Sequence, residues 1–469
     1  MNEYRRQLLK SELMDSTTPG KNNRREIFGW IAYDWADHAF FTLFLGVLIG
    51  EYLTTLAQKA VGENGAILSI GGHDLVTAKS FFSYSVALSV FLQIFFLPVL
   101  GAIADYTHLK KTFLGFFCYL GAICVALMFF VQGNLYMLGA LLFIIANLSA
   151  GASIVFFNSY LPDITTEDKR DKISSWAFAA GYFGGFMTLV LGGILLSSAD
   201  SLGITALTAV RICFLGSGVW WGGFAVITFL FLKRREPIRS APQGKHYIAA
   251  GFSELKDTFI ELFKLKSTLR FLIAYLLYND GIQTVIAMSS IFLSQELFVA
   301  KGLETDRWFL LTAFAIAQIV AFFGALIFER IAHFTSTKSA ILVSLAIWCG
   351  IVIYGYAVLS SLTEAYVMSG AIGFVLGGSQ ALSRSLFSQM IPAGRESAFF
   401  GIYAISERGT SWLGPLVFGL VAQLTNSYRP AILALIVFFV VGSIILLFTN
   451  TNQAIKDAGN HPPEEFLTT

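Results

Sequence analysis

The chain has 469 residues, 55% of them hydrophobic and 13% charged, about half the charged fraction of an ordinary soluble domain, and its mean hydropathy is +0.67. These values exclude a soluble globular protein, and a net charge of only +2 spread over scattered basic residues excludes a nucleic-acid-binding surface. What remains is an integral membrane protein. Its four cysteines, Cys118, Cys124, Cys213 and Cys349, all lie in apolar runs with no CxxC pair and no His/Cys cluster, so they read as small buried hydrophobes rather than redox or metal groups. No cofactor or metal is expected.

The first 26 residues are polar and read as a tail. The apolar run that follows is too long for a signal-peptide core, so it is expected to stay as a membrane span. Runs long enough to cross a bilayer then recur near 27–57, 80–105, 112–131, 135–160, 173–198, 207–232, 267–298, 306–330, 338–360, 363–389, 397–424 and 428–449, which makes twelve. Short breaks such as QGNL (132–135) read as tight turns bounded by Gly and Asn. Counted over alternating loops, 23 Lys and Arg fall on the side of the two tails and 6 on the other, with 3 inside spans. The positive-inside bias therefore places both termini in the cytoplasm.

Between the sixth and seventh spans lies the longest break, 233–266. In it Phe252, Leu255, Phe259, Leu262 and Phe263 share one helical face, opposite Lys256, Asp257 and Glu261. An interfacial helix joining two six-span halves, 27–232 and 267–449, is the expected layout, with a regulatory or partner-binding helix as the alternative. A second tail follows at 450–469. The halves also carry faint similarity: GASIVFFNSYLPD (151–163) closes span four and ALSRSLFSQMIPA (381–393) closes span ten, each leaving the membrane at a proline.

These features resemble the major facilitator superfamily, and within it the branch typified by the vacuolar amino-acid effluxer of autophagy and its bacterial relatives. YDWADHAF (33–40) matches that branch's first-span motif, Tyr-Asp-Trp-Ala-Asn-Ser-Ala-Phe, at six of eight positions. GGSQALSRS (377–385), the stretch from Ile391 to Gly419, and LPDITTEDKRDKISSWAFAAGYFGG (161–185) are similar to further family segments. The resemblance implies an all-α membrane protein with twelve transmembrane helices in two six-helix bundles, working as a monomer by alternating access. It also implies amino acids or similar small solutes as substrate and, from the bacterial members, an inner-membrane location. Asp37 and His38 depart from the motif, standing where Asn and Ser are usual.

A charge at mid-membrane costs at least about 2.5–3.5 kcal/mol, so buried ionisable residues mark a cavity or a partner. In the superfamily layout spans one, four, seven and ten line the cavity. The polar residues sort accordingly: Asp34, Asp37 and His38; Asn147, Ser149 and Asn158; Asn279, Asp280 and Gln283; Gln380, Ser383 and Arg384. In span one, Trp30, Asp34, Asp37, His38 and Phe41 recur at spacings of three and four and so form one stripe. Asp37 lies about 15 Å into the span. Beside a histidine, the side chain most readily switched near neutral pH, it is a candidate proton or substrate-amine site; a structural network is the alternative.

Arg384 has three readings: a fork for a substrate carboxylate, an ion pair with Glu407 on span eleven for which Arg408 competes, or snorkelling to the surface. Asp280 is open between a protonated acid, a coupling site and a helix cap at a break near NDG (279–281). GAIADYTHLKK (101–111) resembles the superfamily's signature loop, in which Asp105 accepts hydrogen bonds from a helix end when that face is closed, and Lys110 with Lys111 faces headgroups or the opposite loop.

The expected function is secondary transport of a small polar, zwitterionic solute, with protons as the coupling ion and the bilayer as the other partner. No nucleotide fold or catalytic dyad is present, so the chain is not read as an enzyme. Efflux of amphipathic compounds, in view of the 45 phenylalanines, and a sensor or scaffold without transport are the alternatives.

Overall fold

The computed structural model describes residues 20–461 apart from 63–64, 71–72, 79, 106, 237–246, 304–306, 409–412 and 426. Among the described residues, eleven helical segments are long and apolar enough to cross a membrane. They correspond to the expected spans one to ten and twelve. Span one (Arg24–Val61) begins at Asn23, whose side chain accepts the Arg25 and Glu26 amides that a helix start leaves unpaired. Its middle, Ala39–Leu48, widens into a π-helix directly after His38. Such widening is frequent at functional positions.

Within expected span eleven a first helix, Glu396–Arg408, and a second, Leu413–Thr425, are described, while 409–412 lie outside the described residues. The suspected break at NDG is absent: Lys266–Leu297 is one continuous helix through Asp280. The QGNL turn is present, with Gly133 at φ 59°. An antiparallel hairpin, Ala66–Ile70 with His73–Thr77, occupies the connection after span one, which the hydropathy reading left without structure. Its signal was legible, since β-prone residues flank a Gly-Gly pair.

Spans one, three, four, five and six pack into one bundle with span two against span four, and spans seven to twelve pack into the other. The halves meet along two seams, span two against span eleven and span five against span eight. The linker helix, Tyr247–Lys264, lies against span two. Its Thr258 and Leu262 are buried while Phe259, Ile260 and Phe263 stay exposed; Phe252 lies outside the residues whose side chains are described. Glu261 pairs with Arg395 at the entry to span eleven. The same face carries both ends of the described residues, where Asn22 bonds the loop after span four and Asn460 the loop after span ten.

Lys110 and Lys111 make their hydrogen bonds within their own half, and Lys110 also lines a cavity with Gly394 and Glu396 of the opposite half. Lys110 is buried and bonds Asp163 (2.9 Å) and the Ser159 carbonyl (3.4 Å). Lys111 donates to the Phe229 and Leu232 carbonyls. A buried ammonium needs donors satisfied close by, and span ends of its own half supply the acceptors.

Candidate functional site

The stripe predicted on span one exists, and it faces span ten. Asp34 Oδ2 lies 3.2 Å from Arg384 Nη1, across 350 residues of sequence. The same nitrogen reaches Asn158 Oδ1 at 3.3 Å, while Arg384 Nε and Nη2 donate to the side chain and carbonyl of Ser174, both at 2.9 Å. The guanidinium carbon is 4.1 Å from the Phe178 ring centre, 5.0 Å from Trp30 and 5.5 Å from Phe157. Trp30 is locked in turn by stacking on Phe157 (4.4 Å) and donating to its carbonyl (2.8 Å). Residues of spans one, four, five and ten thus converge on one planar cation. Arg384, 3% exposed, does not snorkel. The side chains of Glu407 and Arg408 lie outside the described residues.

One turn further along, His38 Nδ1 lies 3.0 Å from Asp37 Oδ1 and 2.8 Å from the Asp34 carbonyl. The ring packs edge-on against Tyr182 (5.4 Å). Glycine at 181 makes this approach feasible, since a Cβ there would fall 2.3 Å from His38 Cε1. Tyr182 donates to Gln380 Oε1 across the two halves at 2.7 Å. The donor atoms of Asp34, Asp37 and His38 lie within 4.8 Å of one another, a spacing that suits an ion. Arg384 already places a positive charge on Asp34, and His38 Nδ1 is engaged twice, so the pocket suits a single ammonium or a proton better than a divalent metal.

Asp34, Asp37, His38, Asn158, Gln380 and Arg384 are therefore brought together, whereas Asp280 is not part of this group. Its Oδ2 accepts the Gly414 amide at 2.8 Å, within the helix Leu413–Thr425 of span eleven. Gln283 stands half-buried on the same span. Sequence reading missed Ser174, Phe178, Tyr182 and Gly181. All four lie in the family-like segment 161–185, but nothing in their spacing points at span ten.

At the terminal face the halves are sealed. Asp105 accepts the amides of Ser397 (2.9 Å) and Ala398 (2.8 Å), the first turn of Glu396–Arg408. Gly101 permits the contact, because a Cβ would sit 2.2 Å from the Ser397 carbonyl oxygen. On the other seam Arg170 donates to the Ser388 carbonyl (2.9 Å) and Thr337 to Asp171 (2.5 Å).

Comparisons with known proteins agree with this architecture. Residues 22–459 match the family described as Vacuole effluxer Atg22 like. An MFS-type transporter of Bacillus subtilis (strain 168), YxiO, is 28% identical, the alignment covering 92% of this chain and 97% of that one. Autophagy-related protein 22 of Coccidioides immitis (strain RS) is 26% identical over 94% of this chain and 89% of its own. Among solved structures, the human organic anion transporter MFSD10 (TETRAN) superposes with a TM-score of 0.64 at 14% identity, covering 91% of this chain and all of that one. The E. coli fucose:proton symporter FucP gives 0.62 at 12% identity, covering 91% and 98%. The chain is accordingly an MFS-type, multi-pass membrane transporter and not an enzyme, and it belongs to the Vacuole effluxer Atg22 like family.

Proposed function

We propose that this transporter moves a small zwitterion of the amino-acid class by alternating access, with a proton gradient as the driving force and both termini in the cytoplasm. The observation that carries the reading is the buried Asp34–Arg384 pair between the halves. It offers a carboxylate and a guanidinium to one compartment, and a substrate with an ammonium and a carboxylate replaces that pair charge for charge. Arg384 presents a planar fork suited to a carboxylate, and Asp34 with Asp37 receives the ammonium. A buried pair that loses one partner is strongly penalised, so a zwitterion fits where a singly charged solute would strand a charge. Asp37 and His38 exchange a proton as the ammonium arrives and leaves.

Purified protein in liposomes tests this. Amino acids should shift its melting temperature and exchange across the membrane, and accumulation should follow an imposed pH gradient. Uptake that ignores the gradient, together with an Asp37→Asn variant that behaves as wild type, would sink the proton part. Sugars or organic anions exchanging while amino acids do not would sink the zwitterion part.

A further inference from the structure

The described residues leave one buried charge without a counter-ion. Asp280 is 1% exposed, halfway along Lys266–Leu297. Its Oδ2 holds the Gly414 amide, but its Oδ1 has no hydrogen-bond partner. Among the described residues no basic or acidic side chain acts on it. From span twelve its neighbourhood receives Phe438 and Phe439, against Gly281. From span eleven it receives Gly414 and, further along, Tyr403, which stacks on Tyr275 at 4.3 Å. From span ten comes Ser383, bonded to Tyr278 at 2.6 Å. The side chains of Glu407 and Arg408, on the preceding helix of span eleven, lie outside the described residues. A carboxylate held at membrane depth by one amide is poorly compensated.

From this placement we infer that Asp280 is a second proton-binding site, whose proton controls the second helix of span eleven rather than contacting the substrate. The inference rests on the transport reading. The proton adds to Oδ1, forming one O–H bond and taking the carboxylate from charge −1 to neutral. It later leaves as a proton from the same atom. Oδ2 still accepts the Gly414 amide, but a neutral acceptor holds it less strongly than a charged one. A sodium ion would need several oxygens around Oδ1. The Thr284 hydroxyl, one turn along the same helix, is engaged by donating to the Asp280 carbonyl at 2.7 Å. Span eleven thus hangs between two carboxylate caps, Asp105 from the other half on its first helix and Asp280 from its own half on the second.

The experiment needs no transport substrate. Hydrogen exchange of peptides covering 413–425, corrected for intrinsic exchange, is measured from acid to alkaline pH in potassium and in sodium chloride, on wild type and Asp280→Asn. Infrared difference spectra between the two pH extremes follow the carboxyl band. Asparagine keeps an acceptor for Gly414, so the fold should survive. In wild type, protection should fall by about tenfold as the carboxylate becomes neutral, with a protonated-carboxyl band appearing. In Asp280→Asn, protection should stay at the acid value throughout and that band should vanish. Protection that ignores pH, tracks sodium, or varies equally in the variant overturns the inference. An Asp37→Asn control should retain the wild-type pattern at 413–425. If wild-type liposomes fail to transport while the pattern holds, it is the transport reading that fails.

Discussion

Asp34 and Asp280 stand on spans one and seven, the first span of each half, and both are buried carboxylates. Their compensation differs. Asp34 meets the full charge of Arg384 on the opposite half, inside a box of Trp30, Phe157 and Phe178. Asp280 meets only the Gly414 amide within its own half. A contact between halves must be broken and remade whenever the halves rock, whereas a contact within one half can persist. The first suits a site emptied and filled in each cycle, and the second suits a setting of local helix geometry.

The largest expected effect breaks the first arrangement. Arg384→Ala strands Asp34 beside a cavity and should cost about 3–5 kcal/mol of stability, read as a large fall in melting temperature, with transport lost. Arg384→Lys should restore part of the stability but little transport, because an ammonium cannot reach Ser174, Asn158 and Asp34 as the fork does. If Arg384→Ala melts like wild type, the pair contributes nothing and the comparison collapses.

A smaller effect tests the other side. Asp280→Asn should change stability by less than about 2 kcal/mol, since the acceptor for Gly414 survives and only the charge on that acceptor is lost. A loss as large as that of Arg384→Ala would show that Asp280 has a full counter-charge. The smallest change is expected for Tyr182→Phe. It removes the hydroxyl bonded to Gln380 at 2.7 Å but keeps the ring against His38, and should cost about 1 kcal/mol. Its effect on exchange rate should exceed its effect on melting, because the bond crosses the halves.

Much of this was legible before the structure. Eleven of the twelve expected spans and the sorting of polar residues onto spans one, four, seven and ten follow from hydropathy, because lipid admits only long apolar helices and penalises stray charge. The Asp34, Asp37 and His38 stripe follows from helical periodicity, a local property. The partner of Arg384 had no local signal. Depth alone pointed to Glu407, and depth does not say which face of span ten a side chain occupies.

By itself, then, the chain determined which segments enter the membrane and which residues carry charge into it, since both depend on composition and spacing along a single helix. Tertiary structure alone decided who neutralises whom. Arg384 reaches Asp34, Asp105 holds Ser397, and Asp280 caps Leu413–Thr425. Such pairings depend on the rotation and tilt of whole helices, which are set by close approaches such as Gly181 to His38 and Gly101 to Ser397 that involve residues far apart in the sequence.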